Sequence, residues 1–164
     1  MMKHMLGRFL SGLSGTLFFL LLTLSIGISN AQQTPEPPCP RERTLLAEGF
    51  VSERLWVWQK RLNLEDWSIS VVMSRASELK PKTLGNIHWD LDKRTAIIRV
   101  LDPADYRLPF KEMLQDMEFT VVHELIHLDM APVLSDLQRT DANRREEEHA
   151  VNHVAEALLK LDRR

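Results

Sequence analysis

One short stretch of the 164-residue chain has side chains whose types and spacing suit metal-assisted hydrolysis. His123 and His127 are four residues apart, and Glu124 directly follows the first histidine. On a helix, residues four apart lie on the same face, so both imidazoles can bind one metal ion. Glu124 is placed to act as general base toward a water molecule at that ion. The pattern therefore predicts a metal site, and zinc is the ion it typically binds.

The residues around this motif predict a buried helix. Val121, Val122, Leu125, Ile126 and Leu128 leave no wide polar face for the two histidines and the glutamate. Polar side chains buried without partners are costly, and a metal ion removes that cost. We expect the helix to begin near Pro109, where proline suits a first turn, and to stop at Pro132.

A catalytic zinc site needs a third protein ligand. The last helix is expected from Glu146 to about Leu161, and its first turn contains Glu146, Glu147 and Glu148. Acidic residues favour a helix N-terminus, but this location also suits a metal ligand. The residues before it, 131–145, lack clear periodicity, and we expect a loop there that borders the cleft.

The two helices together resemble the gluzincin metallopeptidases. In that family His-Glu-x-x-His is followed by a glutamate on a later helix, here about twenty residues on, and the run from Glu148 to Asn152 resembles the small single-domain members. The resemblance implies a minimal zincin-like fold, Zn²⁺ as cofactor, and hydrolysis of peptide bonds in a peptide or protein substrate. It also implies Glu148 as the third ligand beside His123 and His127, with Asn152 as a hydrogen-bond partner of a ligating histidine.

Glu147 is the alternative third ligand. It lies near the middle of the apolar stripe of the last helix, above Val151 and Val154, and so points most directly into the domain. We favour Glu148 over Glu147, because a ligand is expected beside the stripe with a polar partner of its own. No motif identifies a second group that would stabilise the reacting carbonyl oxygen, whether Tyr106, His88 or His149.

The rest of the domain, residues 44–164, is expected to be α+β. Apolar residues at three- and four-residue steps predict a helix from Thr44 to Asn63. Alternating segments at 67–74, 84–91 and 94–101 predict three strands in a mostly antiparallel sheet, the last two forming a hairpin. We expect the strand around residues 97–100 to offer the edge along which an extended substrate lies.

The N-terminal part of the chain is expected to be a signal peptide, residues 1–31, followed by a proline-rich linker, residues 32–43. Lys3 and Arg8 precede an uncharged run, and Ser29-Asn30-Ala31 suits cleavage before Gln32. This predicts a secreted or periplasmic protein. The alternative is an uncleaved membrane anchor formed by residues 9–28.

Charge and composition restrict the classes of partner. The formal net charge is −2, and removing residues 1–31, which contain two positive charges and no negative ones, changes it to −4. A mildly acidic protein lacks the electrostatic signature of nucleic-acid binding, and a membrane partner is expected only if the N-terminal segment stays uncleaved. A catalytically silent, metal-stabilised binding or regulatory module is the alternative function, although Glu124 favours an enzyme because a structural metal site needs no adjacent base.

Overall fold

The structure is a computed structural model that describes residues 38–163. The expected signal peptide and residues 32–37 of the expected linker lie outside the described residues. Three helices and a three-stranded sheet follow in the order α1 (Pro40–Arg61), β1 (Ser68–Ser74), β2 (Gly85–Asp90), β3 (Thr95–Leu101), α2 (Phe110–Leu134) and α3 (Asp141–Asp162). The α+β class expected from the sequence is therefore confirmed. None of the helices within residues 38–163 combines the length and apolar character needed to cross a bilayer.

Helix α1 begins at Pro40, four residues before the expected start at Thr44. The end of the segment expected to be linker is therefore helical. A proline at the first helical position has no N–H to leave unpaired, which makes it a favourable start. Arg43 then fixes this first turn to the domain, because its guanidinium donates to the Leu108 carbonyl oxygen at 2.9 Å.

The sheet is mixed, with the strand order β1-β3-β2. Strands β2 and β3 form the expected antiparallel pair, but β1 runs parallel to β3. The expectation of a mostly antiparallel sheet is therefore only half right. The expected substrate edge is wrong as well, because β3 lies in the centre of the sheet and its backbone is paired on both sides. Ile98 and Val100 of β3 are fully buried, as suits a central strand.

Helices α2 and α3 are joined by a much shorter connection than expected. Pro132 does not stop α2, which continues to Leu134, and α3 already begins at Asp141. Only residues 135–140 connect them, so the expected loop over 131–145 is wrong. Thr140 caps α3 by accepting a hydrogen bond from the Asn143 N–H at 3.2 Å. The sequence predicts the start of α3 five residues too late, because its first turns are polar and exposed and show no apolar period.

An ionic cluster centred on the buried Glu118 ties the three helices together. Glu118 of α2 accepts hydrogen bonds from Arg54 Nε at 2.5 Å and from Trp58 Nε1 at 2.9 Å. Arg54 also donates to Asp162 Oδ2 at the end of α3, at 2.8 Å. The Glu118 carboxylate is thus satisfied by donors from α1 while α1 also holds the C-terminal end of α3. This cluster fixes α2 and α3 relative to each other.

Candidate metal centre

Helix α2 brings the two histidines of the motif to one point. His123 Nε2 and His127 Nε2 are 3.0 Å apart, one helical turn separating the residues. His127 is 8% exposed and Glu124 is 7% exposed, so the helix buries its polar side chains as the sequence predicts. The two nitrogens converge from a helix that is anchored in the core on its other faces.

Helix α3 contributes a carboxylate at the same point. Glu148 Oε2 lies 3.3 Å from His123 Nε2, and Glu148 Oε1 lies 3.5 Å from His127 Nε2. Ligand atoms of the three residues all lie within 4.8 Å of one another, so the group could hold a metal ion. Two ligand atoms of a tetrahedral zinc ion, each about 2.0–2.1 Å from it, are separated by about 3.3 Å. The distances between the ligand atoms here, 3.0 to 3.5 Å, lie on either side of that value.

The other nitrogen of each histidine has an acceptor of its own. His123 Nδ1 lies 3.1 Å from Asn152 Oδ1, and His127 Nδ1 lies 3.0 Å from Glu147 Oε1. Arg139 in turn donates to Glu147 Oε2 at 2.7 Å. Glu147, the alternative third ligand, therefore contacts the far side of the His127 ring, while Glu148 faces both Nε2 atoms.

These outer contacts decide where the imidazole protons sit. An acceptor opposite Nδ1 requires an N–H at that nitrogen, so in each neutral histidine Nε2 carries a lone pair. Two lone pairs and a carboxylate then face one another without a donor between them. A cation resolves this arrangement, and the same acceptors would hold both rings in the orientation that ligation needs. Burial and the neighbouring His127 ring lower the pKa of His123, which keeps it neutral and able to ligate.

Glu124 is buried beside this group without a hydrogen-bond donor among residues 38–163. Burial, followed by repulsion from the Glu148 carboxylate, raises the pKa of Glu124 to about 8, while the positive charge of Lys80 acts in the opposite direction. Its side chain lines the cleft, so the group has a route to a ligand there.

The centre opens into a cleft of about 970 Å³ between α2, α3, β2 and the loop that precedes β2. The structure brings His123, Glu124, His127, Glu147, Glu148 and Asn152 together along it. His149 also lines the cleft. Tyr106 instead donates to Asp116 Oδ2 at 2.9 Å, and His88 is exposed on β2. Of the three residues considered for the carbonyl oxygen, only His149 borders the site.

Sequence reasoning missed two residues that position the centre. A Cβ atom at Gly85 would clash with Thr120 of α2 and would lie 2.7 Å from the Arg99 carbonyl oxygen and 3.5 Å from Glu124 Oε1. Glycine thus lets β2 approach α2 next to Glu124, and a glycine in a strand is a recognisable signal of such an approach. No sequence pattern indicates a role for Arg139, because it lies in a segment without periodicity and contacts the centre only through Glu147.

Comparisons of the chain with protein-family models, with curated proteins and with solved structures find no match. Functional assignment therefore depends on the geometry and chemistry of the centre itself.

Proposed function

We propose that this protein is a zinc-dependent metallopeptidase with a zincin-like fold, in which His123, His127 and Glu148 hold the metal and Glu124 is the general base. The observation that carries the proposal is the convergence of two histidine lone pairs and a carboxylate beside a buried glutamate that has no hydrogen-bond partner among residues 38–163. A structural metal site would not need that glutamate.

The donor set suits zinc. Two neutral imidazole nitrogens and one carboxylate oxygen are the ligands of a catalytic zinc site that keeps a position open for water or substrate. The Glu148 side chain is 57% exposed, so the three metal-ligating side chains face the cleft rather than a closed core. A bound zinc ion would act as a Lewis acid and make a water molecule nucleophilic at neutral pH.

Glu124 supplies the proton transfer. Its carboxylate would take a proton from the attacking water and deliver it to the amine that leaves. Burial raises the pKa of Glu124, while a nearby cation would favour the charged form that a base requires. Gly85 and Thr120 keep β2 and α2 packed against this side chain, so the base is held by rigid elements.

An extended substrate has an open strand edge beside the centre. Strand β2 lies at the edge of the sheet, and Gly85, Asn86, Ile87 and Trp89 of this strand line the cleft. A peptide adding to that edge would gain backbone hydrogen bonds and pass close to His123, His127 and Glu148. The proposed substrate edge is therefore β2 instead of the central strand β3. The signal peptide expected at residues 1–31 would deliver this activity to the periplasm or the exterior.

Metal analysis of purified variants tests the metal assignment. We expect one zinc ion per chain in the wild type and loss of zinc in His127→Ala and Glu148→Ala, because two remaining ligands do not suffice. Glu147→Ala is the matched control. It should keep zinc with an affinity lowered by about 10- to 100-fold, since it removes only a partner of His127.

A peptide library then tests the activity. Cleavage that is lost on chelation and restored by zinc supports the peptidase. Zinc retained at full stoichiometry in Glu148→Ala would overturn the ligand set. Stoichiometric zinc without cleavage of any peptide would instead favour the metal-stabilised binding module.

A further inference from the structure

Basic side chains line the cleft on two sides. Lys80 and Lys82 lie in the loop between β1 and β2, and Arg144 and Arg145 lie in the first turns of α3. All four are exposed, and none forms an ion pair with another residue in the range 38–163. Arg139, the fifth basic residue of the cleft, is occupied by Glu147.

The cleft thereby differs in charge from the rest of the protein. It is lined by five basic and four acidic side chains, although the whole chain has a net charge of −2. Two of those acidic groups already have partners or roles inside the centre, since Glu147 contacts His127 and Arg139, and Glu148 belongs to the donor group. The lining side chains thus have a formal excess of one positive charge, and a bound divalent ion would add to it.

The position of these cations relative to the centre is specific. Arg144 precedes Glu148 by four residues on α3, so it lies one turn away on the same face. Across the cleft, the charge of Lys80 is close enough to act on Glu124. Lys82 adopts φ of 66°, a left-handed conformation that is uncommon for lysine.

We propose that Lys80, Lys82, Arg144 and Arg145 bind carboxylate groups of the substrate, so that the protein acts on acidic peptide segments. The inference rests on the proposed peptidase function and specifies its substrate class. Arginine and lysine are the side chains that pair with carboxylates. The carboxylates are either acidic side chains near the scissile bond or the free C-terminus of the peptide.

Binding to a Glu124→Gln variant loaded with zinc tests the proposal without turnover. The probes are fluorescein-labelled peptides of one length: glutamate-rich with an amidated C-terminus, glutamine-rich with an amidated C-terminus, and glutamine-rich with a free C-terminus. Exposed ion pairs each contribute a factor of roughly 1.5 to 5, so we expect about tenfold tighter binding of a carboxylate-bearing peptide. Salt at about 1 M should remove most of this preference.

Two double variants locate the effect. Arg144→Ala with Arg145→Ala, and Lys80→Ala with Lys82→Asn, should each reduce the preference about three- to fivefold. Asparagine tolerates the left-handed conformation of residue 82, so that change removes the charge without disturbing the loop. The matched control is Arg107→Ala with Lys111→Ala, which removes two exposed charges outside the cleft and should leave the preference unchanged.

The outcomes separate this inference from the peptidase proposal. A preference for the glutamate-rich amidated peptide supports recognition of acidic side chains, and a preference for the free C-terminus supports recognition of the terminal carboxylate. Equal binding of neutral and acidic peptides overturns the inference, even if both are cleaved. Equal losses in the cleft and control variants overturn it too, as does tighter binding of a single-stranded oligonucleotide. A preference without cleavage of any peptide supports carboxylate binding in the cleft and overturns the peptidase together with the substrate class.

Discussion

Two glutamates on α2 are equally buried and have opposite surroundings. Glu118 and Glu124 are each 7% exposed. Glu118 accepts hydrogen bonds from Arg54 and Trp58, whereas Glu124 accepts none from residues 38–163 and has a pKa raised to about 8. The charge of Glu118 is balanced by hydrogen-bond donors of α1, whereas the carboxylate of Glu124 faces the cleft.

The difference shows how one helix serves two purposes. A buried carboxylate with a full set of donors stabilises packing only as long as its partners remain. A buried carboxylate without donors costs free energy, and such a cost is tolerated where the group has a chemical task. Burial alone therefore does not distinguish the two glutamates, whereas burial without a partner makes Glu124 the candidate for a chemical role.

The largest effect is expected from Glu124→Gln. Glutamine keeps the size of the side chain but cannot accept the proton of water, so the rate of peptide hydrolysis should fall by a factor of about 100 to 10,000. Zinc content and thermal stability should stay unchanged. Steady-state kinetics on a cleaved peptide measure this, and undiminished turnover would exclude Glu124 as the base.

Glu118→Gln should affect stability instead of chemistry. It removes one of the two carboxylates that pair with Arg54, and we expect a loss of about 2 kcal/mol in the free energy of unfolding, measured by chemical denaturation. The rate per folded molecule should be unaltered. Glu112→Gln, an exposed change on the same helix, is the control and should stay within about 0.5 kcal/mol of wild type. A similar loss in both variants would mean that the cluster contributes nothing specific.

Gly85→Ala should disturb Glu124 and leave Glu118 alone. The added methyl group would clash with Thr120 and with the Arg99 carbonyl oxygen, so β2 must shift from α2, at a cost of about 1–3 kcal/mol. We expect a lower kcat as the base loses its support. Gly49→Ala provides the contrast, because nothing lies within 4 Å of the added atom and helix α1 should gain about 0.5–1 kcal/mol. Unchanged kcat in Gly85→Ala would show that β2 does not support the base.

The last effect is a pH dependence of the metal-free protein. Because the pKa of Glu124 is raised from 4.5 to about 8 on folding, the folded state holds the proton more tightly than the unfolded chain. The stability from this group is complete below pH 4.5 and is lost as the pH rises through about 8, with a slope of about 1.4 kcal/mol per pH unit at most. Denaturation curves of wild type and Glu124→Gln at several pH values measure it. If the stability of both proteins depends on pH in the same way, the pKa of Glu124 is not raised by folding.

Periodicity and spacing predicted the parts of the molecule that are local along the chain. The histidine helix, the β2–β3 hairpin and the α+β class follow from patterns within a few residues of each other. The parallel pairing of β1 with β3 could not be predicted, because pairing between distant strands leaves no local pattern. Alternation gives the buried face of a strand but not its neighbour.

The choice between Glu147 and Glu148 shows the limit within the site. Both lie on one helix, and the apolar stripe suggested that Glu147 points inward. It does point inward, but its carboxylate reaches His127 Nδ1 and is held by Arg139. Only the rotation of α3 against α2 decides which glutamate meets the Nε2 atoms, and burial of Val151, Ala155 and Leu159 of α3 in the core sets that rotation.

The six-residue connection between α2 and α3 has a consequence for the order of folding. His127 and Glu147 are 20 positions apart, and His123 and Asn152 are 29 apart, whereas Arg54 meets Glu118 over 64 positions and Asp162 over 108. Each doubling of loop length adds only about 0.6 kcal/mol to the entropic cost of closure. Contacts between residues near in sequence nevertheless form sooner than contacts between distant ones. The helical hairpin that holds the donor group can thus assemble before α1 closes over it.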